Sequence, residues 1–163
     1  FGNNNSYCQD NEISWIDWSL LKKNKELFEF FKFMIAYRKK HPVIRKKLDN
    51  AVCGMEGMHA HDVNADRMEV SQNAKTLAVS FAGYDRKKCK DDLVYVAVNA
   101  YWEEVRITLP NLANHGAWYL SVDTYGDENG KYCYEEGEEI RIDHEYVMKP
   151  RSIVVFTGRQ VLR

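Results

Sequence analysis

The segment His59-Ala60-His61-Asp62 places two histidines and an aspartate close together, and these residue types can bind a metal ion. In a β-strand His59 and His61 would point to the same face, as two zinc ligands must. The spacing identifies no third ligand, however, and two nearby histidines in a polar stretch are common. We therefore predict no metal site in this chain and no cofactor.

A run of acidic and amide side chains, Asp127-Glu128-Asn129-Gly130, has part of the composition of a calcium-binding loop. It lacks the spaced ligands and the closing glutamate of such a loop, and no helical pattern flanks it. Asp, Asn and Gly are also the residues that favour tight turns. We interpret this run as a solvated hairpin tip.

Residues 2–11 form a polar segment, Gly-Asn-Asn-Asn-Ser-Tyr-Cys-Gln-Asp-Asn, and two tryptophans follow it. Amide and carboxylate groups hydrogen-bond to vicinal hydroxyls, and Tyr7, Trp15 or Trp18 could stack on the face of a sugar ring. The segment therefore suits a carbohydrate ligand. We expect both tryptophans to be partly buried. The alternative is a loop whose asparagines bond to their own backbone, and composition alone does not separate the two.

The sequence contains no recognisable catalytic motif. It has no Gly-x-Ser-x-Gly elbow, no phosphate-binding loop and no dinucleotide-binding glycine pattern. None of its acidic residues follows an apolar parallel strand, which is where a barrel enzyme carries its catalytic groups. The four cysteines include no Cys-x-x-Cys pair, so we predict reduced thiols in a cytoplasmic protein.

The composition is that of a globular protein. The 163-residue chain has 23 Lys and Arg against 24 Asp and Glu, a net charge of −1, and 45% hydrophobic residues. A general nucleic-acid binder is disfavoured because it needs a basic surplus. No apolar run approaches the roughly 18 residues that cross a bilayer, and no signal peptide opens the chain. Because the sequence begins at Phe1 without methionine, we expect a fragment of a larger protein.

One strong helix is predicted after Asn24, which we expect to cap it, and a short helical turn is predicted over residues 15–21. Pro42 ends the helix because proline disfavours a helical conformation in the residue before it. The apolar stripe of this helix must pack against other elements, and the short region before it offers few. We therefore expect some of its packing partners to be missing from the chain. The apolar residues of the stripe are Leu27, Phe30, Phe31, Met34 and Ile35, and Arg38 continues it at helical spacing.

The rest of the chain reads as short β-strands separated by turns. Alternation or apolar runs predict strands at residues 76–82, 93–99, 105–109, 118–122, 140–142 and 152–156. Residues 93–99 are apolar on both faces, which indicates a central strand. Strands without intervening helices predict a mainly β fold, an antiparallel sandwich or barrel.

Several segments resemble bacterial glycogen debranching enzymes, the isoamylase-like members of glycoside hydrolase family 13 in the α-amylase superfamily. Residues 2–15 with Asp17 and Trp18 match a family loop, and residues 38–42 match its Arg-x-x-His-Pro helix end. Further matches are the Asn-x-x-Trp pattern at residues 99–102, Leu109-Pro110, Trp118, and Pro150-Arg151-Ser152. The resemblance extends over nearly the whole chain.

The resemblance implies a division of the chain into two parts. Residues 1–48 would be the tail of the catalytic (β/α)₈ barrel, its last loop and final helix. Residues 49–163 would be the C-terminal antiparallel β-sandwich domain. The packing partners of the apolar helix would then be barrel elements upstream of Phe1.

The resemblance also implies a reaction, the hydrolysis of α-1,6-glucosidic branch linkages with retention of configuration. The family uses an aspartate nucleophile, a glutamate acid/base and a second aspartate, and all three motifs lie upstream of this chain. No catalytic residue is therefore assigned here. The loop lies at the catalytic face of the family barrel, which makes five residues candidate substrate or supporting contacts. They are Asn5, Tyr7, Gln9, Asp10 and Asn11.

We thus predict a stabilising C-terminal domain that is inactive alone and whose sandwich buries apolar surface against the last barrel helix. Its partners would be the upstream barrel of the same polypeptide and the branched α-glucan substrate of the parent enzyme. We expect it to bind neither nucleic acid nor a membrane. One alternative is a carbohydrate-binding module for glycogen or starch, using exposed rings among Tyr101, Trp102, Trp118, Tyr119 and Tyr125. Because Trp118 and Leu120 share a strand face, some of these rings belong to the core. Another alternative is an oligomerisation domain.

Overall fold

The computed structural model describes residues 7–65, 74–113 and 115–160. Two helices come first, α1 (Leu20–Lys23) and α2 (Lys25–Lys40), and a 3₁₀ turn follows at Pro42–Ile44. The strands are β1 (Met58–His61), β2 (Thr76–Asp85), β3 (Lys90–Asn99), β4 (Val105–Thr108), β5 (Ala117–Asp123), β6 (Ile140–Ile142), β7 (Glu145–Met148) and β8 (Ser152–Arg159).

The strands form two antiparallel sheets. The larger has six strands in the order β1-β2-β3-β8-β5-β6, and β4 pairs with β7 in the smaller. β3 lies between β2 and β8, and most of its residues are buried. The predicted central strand is therefore confirmed, as is the mainly β, antiparallel sandwich fold.

The main core lies between the two sheets and is rich in aromatic rings. Tyr95, Trp118 and Phe156 of the large sheet are almost completely buried, together with Ile107 and Met148 of the small sheet. The Tyr95 ring centroid lies 5.9 Å from that of Trp118 and 6.2 Å from that of Phe156. These contacts use the inward face of β3, β5 and β8, since alternate residues of a strand point to opposite faces.

Helix α2 packs on the opposite face of the large sheet. The buried Tyr37 hydroxyl lies 2.8 Å from Thr157 Oγ1, which in turn lies 2.8 Å from Ser121 Oγ. This second core comprises Tyr37, Val43, Val94, Val122 and Val155, with Phe30, Phe33, Met34 and Ile44 partly buried against it. One apolar side of the helix is therefore covered by the sheet, as expected of a sandwich that buries apolar surface against it.

The start of the helical region differs from the prediction in two details. Helix α1 begins at Leu20, so the predicted turn over residues 15–21 forms a helix only at its end. Asn24 precedes α2, but its Nδ2 group donates to the Leu20 carbonyl at 3.1 Å and makes no side-chain cap. The amide therefore ties the two helices together instead of satisfying the free N–H groups of α2.

A β-bulge in β5 supplies residues to both faces of the large sheet. The pairing with β8 shifts between Leu120 and Val122, so that Ser121 is the extra residue. Leu120 packs in the core between the sheets, whereas Val122 packs under α2. After the bulge, Asp123 accepts a hydrogen bond from the Tyr146 hydroxyl at 2.7 Å, which links the two sheets.

Two strands escaped the sequence prediction. β1 and β7 have four residues each, and both contain exposed or half-buried positions. β1 is an edge strand, paired with β2 alone, and β7 pairs with β4 in the small sheet. Short strands with polar residues carry too few apolar positions to show a period of two.

Two buried tyrosines are expected to respond oppositely to loss of the hydroxyl group. Tyr37→Phe removes the bond to Thr157 and should lower the free energy of unfolding by about 1 kcal/mol. The Tyr95 hydroxyl is buried without a hydrogen-bond partner among the described residues, and burial raises its pKa. Tyr95→Phe should therefore be neutral or raise stability by up to about 1 kcal/mol in urea titrations. Equal losses for both variants would contradict this assignment.

Candidate functional site

The loop before α1 is held by its own side chains. The Trp15 indole N–H donates to Asp10 Oδ1 at 2.9 Å, and Asn11 Nδ2 donates to Gln9 Oε1 at 3.2 Å. Asn11 Oδ1 accepts the backbone N–H of Ile13 at 3.0 Å, which is an Asx turn. The loop thus contains the self-bonding that the sequence allowed as an alternative to carbohydrate binding.

The candidate contact residues lie on the surface of this loop. Tyr7 is 81% exposed, Gln9 and Asp10 are also exposed, and Asn11 is half-buried. The structure brings Gln9, Asp10 and Asn11 into one hydrogen-bonded turn, whereas Asn5 lies outside the described residues. An exposed ring beside amide and carboxylate groups retains the chemistry needed to contact sugar hydroxyls.

An exposed apolar side of α2 adjoins the loop in sequence. Leu27, Phe31 and Ile35 are 56%, 57% and 55% exposed, and their spacing of four places them along one side of the helix. The tryptophans before the helix are exposed too, Trp15 at 64% and Trp18 at 74%, so the expectation that they are partly buried is wrong. We call Leu27, Phe31 and Ile35 the exposed stripe.

Two consecutive aspartates at the start of β3 anchor the segments that lead from α2 into the sandwich. Asp92 lies under the helix end, where Oδ1 is 2.6 Å from His41 Nδ1 and Oδ2 accepts the N–H of Val43 at 3.0 Å. Asp91 points to the other face and accepts the backbone N–H groups of residues 52 and 53, both at 2.8 Å. Both aspartates are buried, and these bonds satisfy the buried carboxylates.

These anchors give structural roles to His41 and Pro42, and they were missed from sequence. His41 binds Asp92, and Pro42 starts the 3₁₀ turn that aims Val43 into the second core. The available signal was an adjacent pair of acidic residues at the start of an otherwise apolar strand. Carboxylates at buried strand positions need partners, so such a pair indicates backbone or side-chain anchoring.

The two metal-like motifs have local hydrogen-bonding roles. His61 is buried, with Nδ1 2.7 Å from the Ala65 carbonyl and Nε2 2.8 Å from Ser80 Oγ. Asp127 Oδ1 accepts the backbone N–H groups of Asn129 and Lys131 at 2.8 and 2.9 Å, and these bonds lower the pKa of Asp127. Within residues 7–65, 74–113 and 115–160, no group of three potential metal ligands occurs.

The aromatic residues considered for glucan binding fall into different environments. Trp118 is buried, whereas Trp102 is 62% exposed and lies 4.2 Å from Tyr101 between ring centroids. The Lys75 ammonium lies 3.7 Å from the Tyr101 centroid, and the Arg159 guanidinium lies 4.7 Å from that of Tyr119. Tyr125 is also exposed. Lys75 Nζ also lies 5.2 Å from the Trp102 centroid, so the candidate rings range from buried, through rings beside a cation, to exposed.

The four cysteines are all free thiols, and their expected reactivity differs. Burial raises the pKa of Cys133 to about 11 from the usual 9.0, which lowers its thiolate fraction near neutral pH by about 100-fold. At about pH 8, iodoacetamide should modify the exposed Cys8 and Cys89 before Cys133, as followed by peptide mass spectrometry. Raising the pH toward 11 should narrow the difference in modification rate between Cys133 and the two exposed cysteines, and denaturant should abolish it. Equal modification rates in the native protein would contradict the prediction.

None of the helices in the described part of the chain combines the length and apolar character required to span a membrane.

Comparison with known proteins identifies relatives. A family model described as "Isoamylase, C-terminal" matches residues 46–157. The chain is 51% identical over 47 residues to a glycogen operon protein GlgX homologue of Mycobacterium tuberculosis, covering 29% of the chain and 6% of that protein. It is 26% identical over 122 residues to an isoamylase of Pseudomonas amyloderamosa, covering 75% of the chain and 16% of that protein. It is 28% identical over 125 residues to isoamylase 3, chloroplastic, of Oryza sativa, covering 76% of the chain and 15% of that protein. The chain thus matches between 6% and 16% of the length of these relatives.

Proposed function

Because this chain belongs to the isoamylase C-terminal family, we propose that it is the C-terminal part of a debranching enzyme that hydrolyses α-1,6-glucosidic linkages in glycogen or related branched α-glucans. Residues 1–48 are then the last loop and helix of the catalytic (β/α)₈ barrel, and residues 49–163 are a sandwich that stabilises it. The catalytic carboxylates belong to the barrel, the enzyme is a cytoplasmic glycoside hydrolase, and the chain alone is inactive.

The observation that carries this proposal is that α2 has two apolar sides. One side packs on the large sheet through Phe30, Phe33 and Tyr37, while the exposed stripe of Leu27, Phe31 and Ile35 is more than half exposed among the residues that the structure describes. Apolar side chains arranged along a surface helix in this way are typical of an interaction site. A helix shared between the barrel and the sandwich would bury both sides.

The sandwich supports the barrel by holding this helix rigidly. Tyr37 binds Thr157 of β8, and His41 binds Asp92 at the helix end. A retaining glycosidase needs its two catalytic carboxyl groups about 5–5.5 Å apart, so small displacements of barrel elements reduce the rate. Fixing the last barrel helix on a second domain limits such displacements.

The test is to make the exposed stripe polar in the parent enzyme. Leu27→Gln, Phe31→Gln and Ile35→Gln together should lower parent stability by about 2 kcal/mol per side chain, because each loses apolar burial against the barrel. Thermal midpoint and debranching rate should both fall. In the 163-residue chain alone, the same triple variant should keep the unfolding free energy within about 1 kcal/mol and reduce self-association.

A matched control replaces exposed apolar residues of the sandwich, Val52, Leu77 and Ile153, with glutamine. These three substitutions should have little effect on the thermal midpoint or the activity of the parent. A surface substitution usually changes the free energy of unfolding by at most about 0.5 kcal/mol. A parent enzyme that tolerates the stripe variant as well as the control would contradict the shared-helix proposal.

The loop before α1 is proposed to contact substrate through Asn5, Tyr7, Gln9, Asp10 and Asn11. In the parent, Tyr7→Ala should raise KM for branched glucan by about tenfold, equivalent to about 1.4 kcal/mol of binding, without changing the thermal midpoint. Tyr125→Ala, also an exposed tyrosine, is the control. An unchanged KM for Tyr7→Ala would remove this residue from the substrate site.

The second candidate function, a glucan-binding module, is favoured by the exposed Trp102 ring. Glycogen titrated into the chain should then show binding that Trp102→Ala weakens by about tenfold, because stacking an aromatic ring on a sugar is worth about 1 kcal/mol or more. Phe28→Ala removes an exposed aromatic ring that is not among the candidate sugar contacts and should leave this binding intact. Absence of glycogen binding by the chain would eliminate this function.

A further inference from the structure

Positive charge is concentrated in three copies of one tripeptide. Arg-Lys-Lys occurs at residues 38–40, 45–47 and 86–88, and together these hold 9 of the 23 Lys and Arg residues. The chain as a whole has a net charge of −1. The basic residues are therefore clustered along the sequence in a chain with no basic surplus.

The fold brings the three tripeptides to one cleft. The first ends α2, the second follows the 3₁₀ turn, and the third lies in the turn between β2 and β3. Their side chains line a cleft of about 760 Å³, to which residue 39 and all of residues 45–47 and 86–88 contribute. Seven of the nine basic residues thus face a common space.

The acidic groups at this cleft are already engaged. Asp49 pairs with the Arg86 guanidinium, and Asp85 accepts the Lys87 N–H at 3.0 Å while lying 3.7 Å from Lys88 Nζ. These are the two carboxylates among the residues that line the cleft. Their negative charge therefore offsets only part of the basic charge.

The negative end of the helix dipole is covered as well. Lys88 Nζ donates to the Lys40 carbonyl, and Arg45 Nη2 donates to the Lys39 carbonyl at 3.4 Å. These carbonyls would otherwise repel an anion at the end of α2. Four cleft lysines have no carboxylate within 4 Å in the described part of the chain, namely Lys39, Lys46, Lys47 and Lys87.

We propose that this cleft binds the phosphoryl groups of a small anion that carries at least two negative charges. Converging ammonium and guanidinium groups are the usual protein partners of phosphate oxygens. The cleft volume lies within the range of small-molecule sites, about 300–1,000 Å³. A small anion is favoured over nucleic acid because the chain lacks the basic surplus that tracking a phosphate backbone requires.

The test is calorimetric titration of the 163-residue chain with inorganic pyrophosphate and, separately, with ADP, which carries the same diphosphate on a nucleoside. Pyrophosphate should bind in the submillimolar range at low salt, and raising the salt concentration should weaken binding several-fold. Equal affinities would identify the phosphoryl groups as the whole ligand. Tighter binding of ADP would add a nucleoside contact, for which Tyr84 lines the cleft.

Matched triple variants separate the cleft from general charge. Lys46→Gln, Lys47→Gln and Lys87→Gln together should weaken pyrophosphate binding at least tenfold. Lys22→Gln, Lys23→Gln and Lys25→Gln change the net charge equally on an exposed segment away from the cleft lining and should have little effect. Undetectable pyrophosphate binding, equal weakening by both triple variants, or tighter binding of a DNA oligonucleotide than of pyrophosphate would overturn the proposal.

Discussion

Replacing Trp118 with alanine is expected to lower the free energy of unfolding by about 3–5 kcal/mol, the usual cost of deleting a large ring from a packed core. The residue is 2% exposed, and its indole N–H donates to the Pro110 carbonyl at 2.7 Å. A Cβ on Gly158 would lie 3.0 Å from Trp118 Cζ3, so the ring packs directly on the β8 backbone. Alanine would lose both the hydrogen bond and this packing.

Urea denaturation followed by far-UV circular dichroism measures the effect. Trp18→Ala is the control, because Trp18 is 74% exposed and its loss should cost at most about 0.5 kcal/mol in this chain. The loss of unfolding free energy for Trp118→Phe should lie between those for Trp118→Ala and Trp18→Ala, since phenylalanine keeps a ring but loses the N–H donor. Similar midpoints for Trp118→Ala and Trp18→Ala would show that Trp118 is not a core residue.

Asp92→Ala is expected to destabilise the chain by about 3 kcal/mol, because it removes the partner of two buried groups. His41 Nδ1 and the Val43 N–H would both lose their acceptor where the helix joins the sandwich. Asp92→Asn retains one carbonyl acceptor and should cost less. In the parent enzyme, the same loss should loosen the helix that we propose to be shared with the barrel.

The control for Asp92 is Asp143→Ala, whose side chain is 95% exposed and 3.8 Å from the Arg141 guanidinium. Exposed pairs of this kind contribute at most about 1 kcal/mol. A double-mutant cycle with His41→Ala should give a coupling energy of at least about 1 kcal/mol with Asp92→Ala and none with Asp143→Ala. Zero coupling to His41 would refute the anchoring role.

Much of the fold could be predicted because its signals are local. The α2 helix and its end before Pro42 depend on helical spacing and proline geometry, and both are present in the structure. Of the predicted stripe, Phe30 and Met34 pack on the sheet, whereas Leu27, Phe31 and Ile35 are exposed. All six predicted strands form, with boundaries shifted by up to three residues, because alternation and turn residues lie within short windows. β1 and β7 could not be found in this way, since four residues of mixed polarity carry no clear period.

The candidate site was less accessible to prediction. Residue types identified the loop before α1 as suited to sugar hydroxyls, but its internal bonds, such as Asp10 with Trp15, depend on the folded backbone. The same limit applies to Asp91 and Asp92, which are adjacent in sequence but bond on opposite faces of the large sheet. Composition can identify a polar group, whereas only the assembled chain decides which partner satisfies it.

By itself, the sequence determined that this protein is a mainly β chain with one unusually apolar helix and no recognisable catalytic motif. Only the tertiary structure decided that one side of α2 is covered by the large sheet and another is exposed, and that three Arg-Lys-Lys tripeptides meet at one cleft. The physical reason is that periodicity and turn propensity act over a few residues. Which surfaces meet depends on contacts between segments far apart in the chain, and these exist only after the sheets have formed.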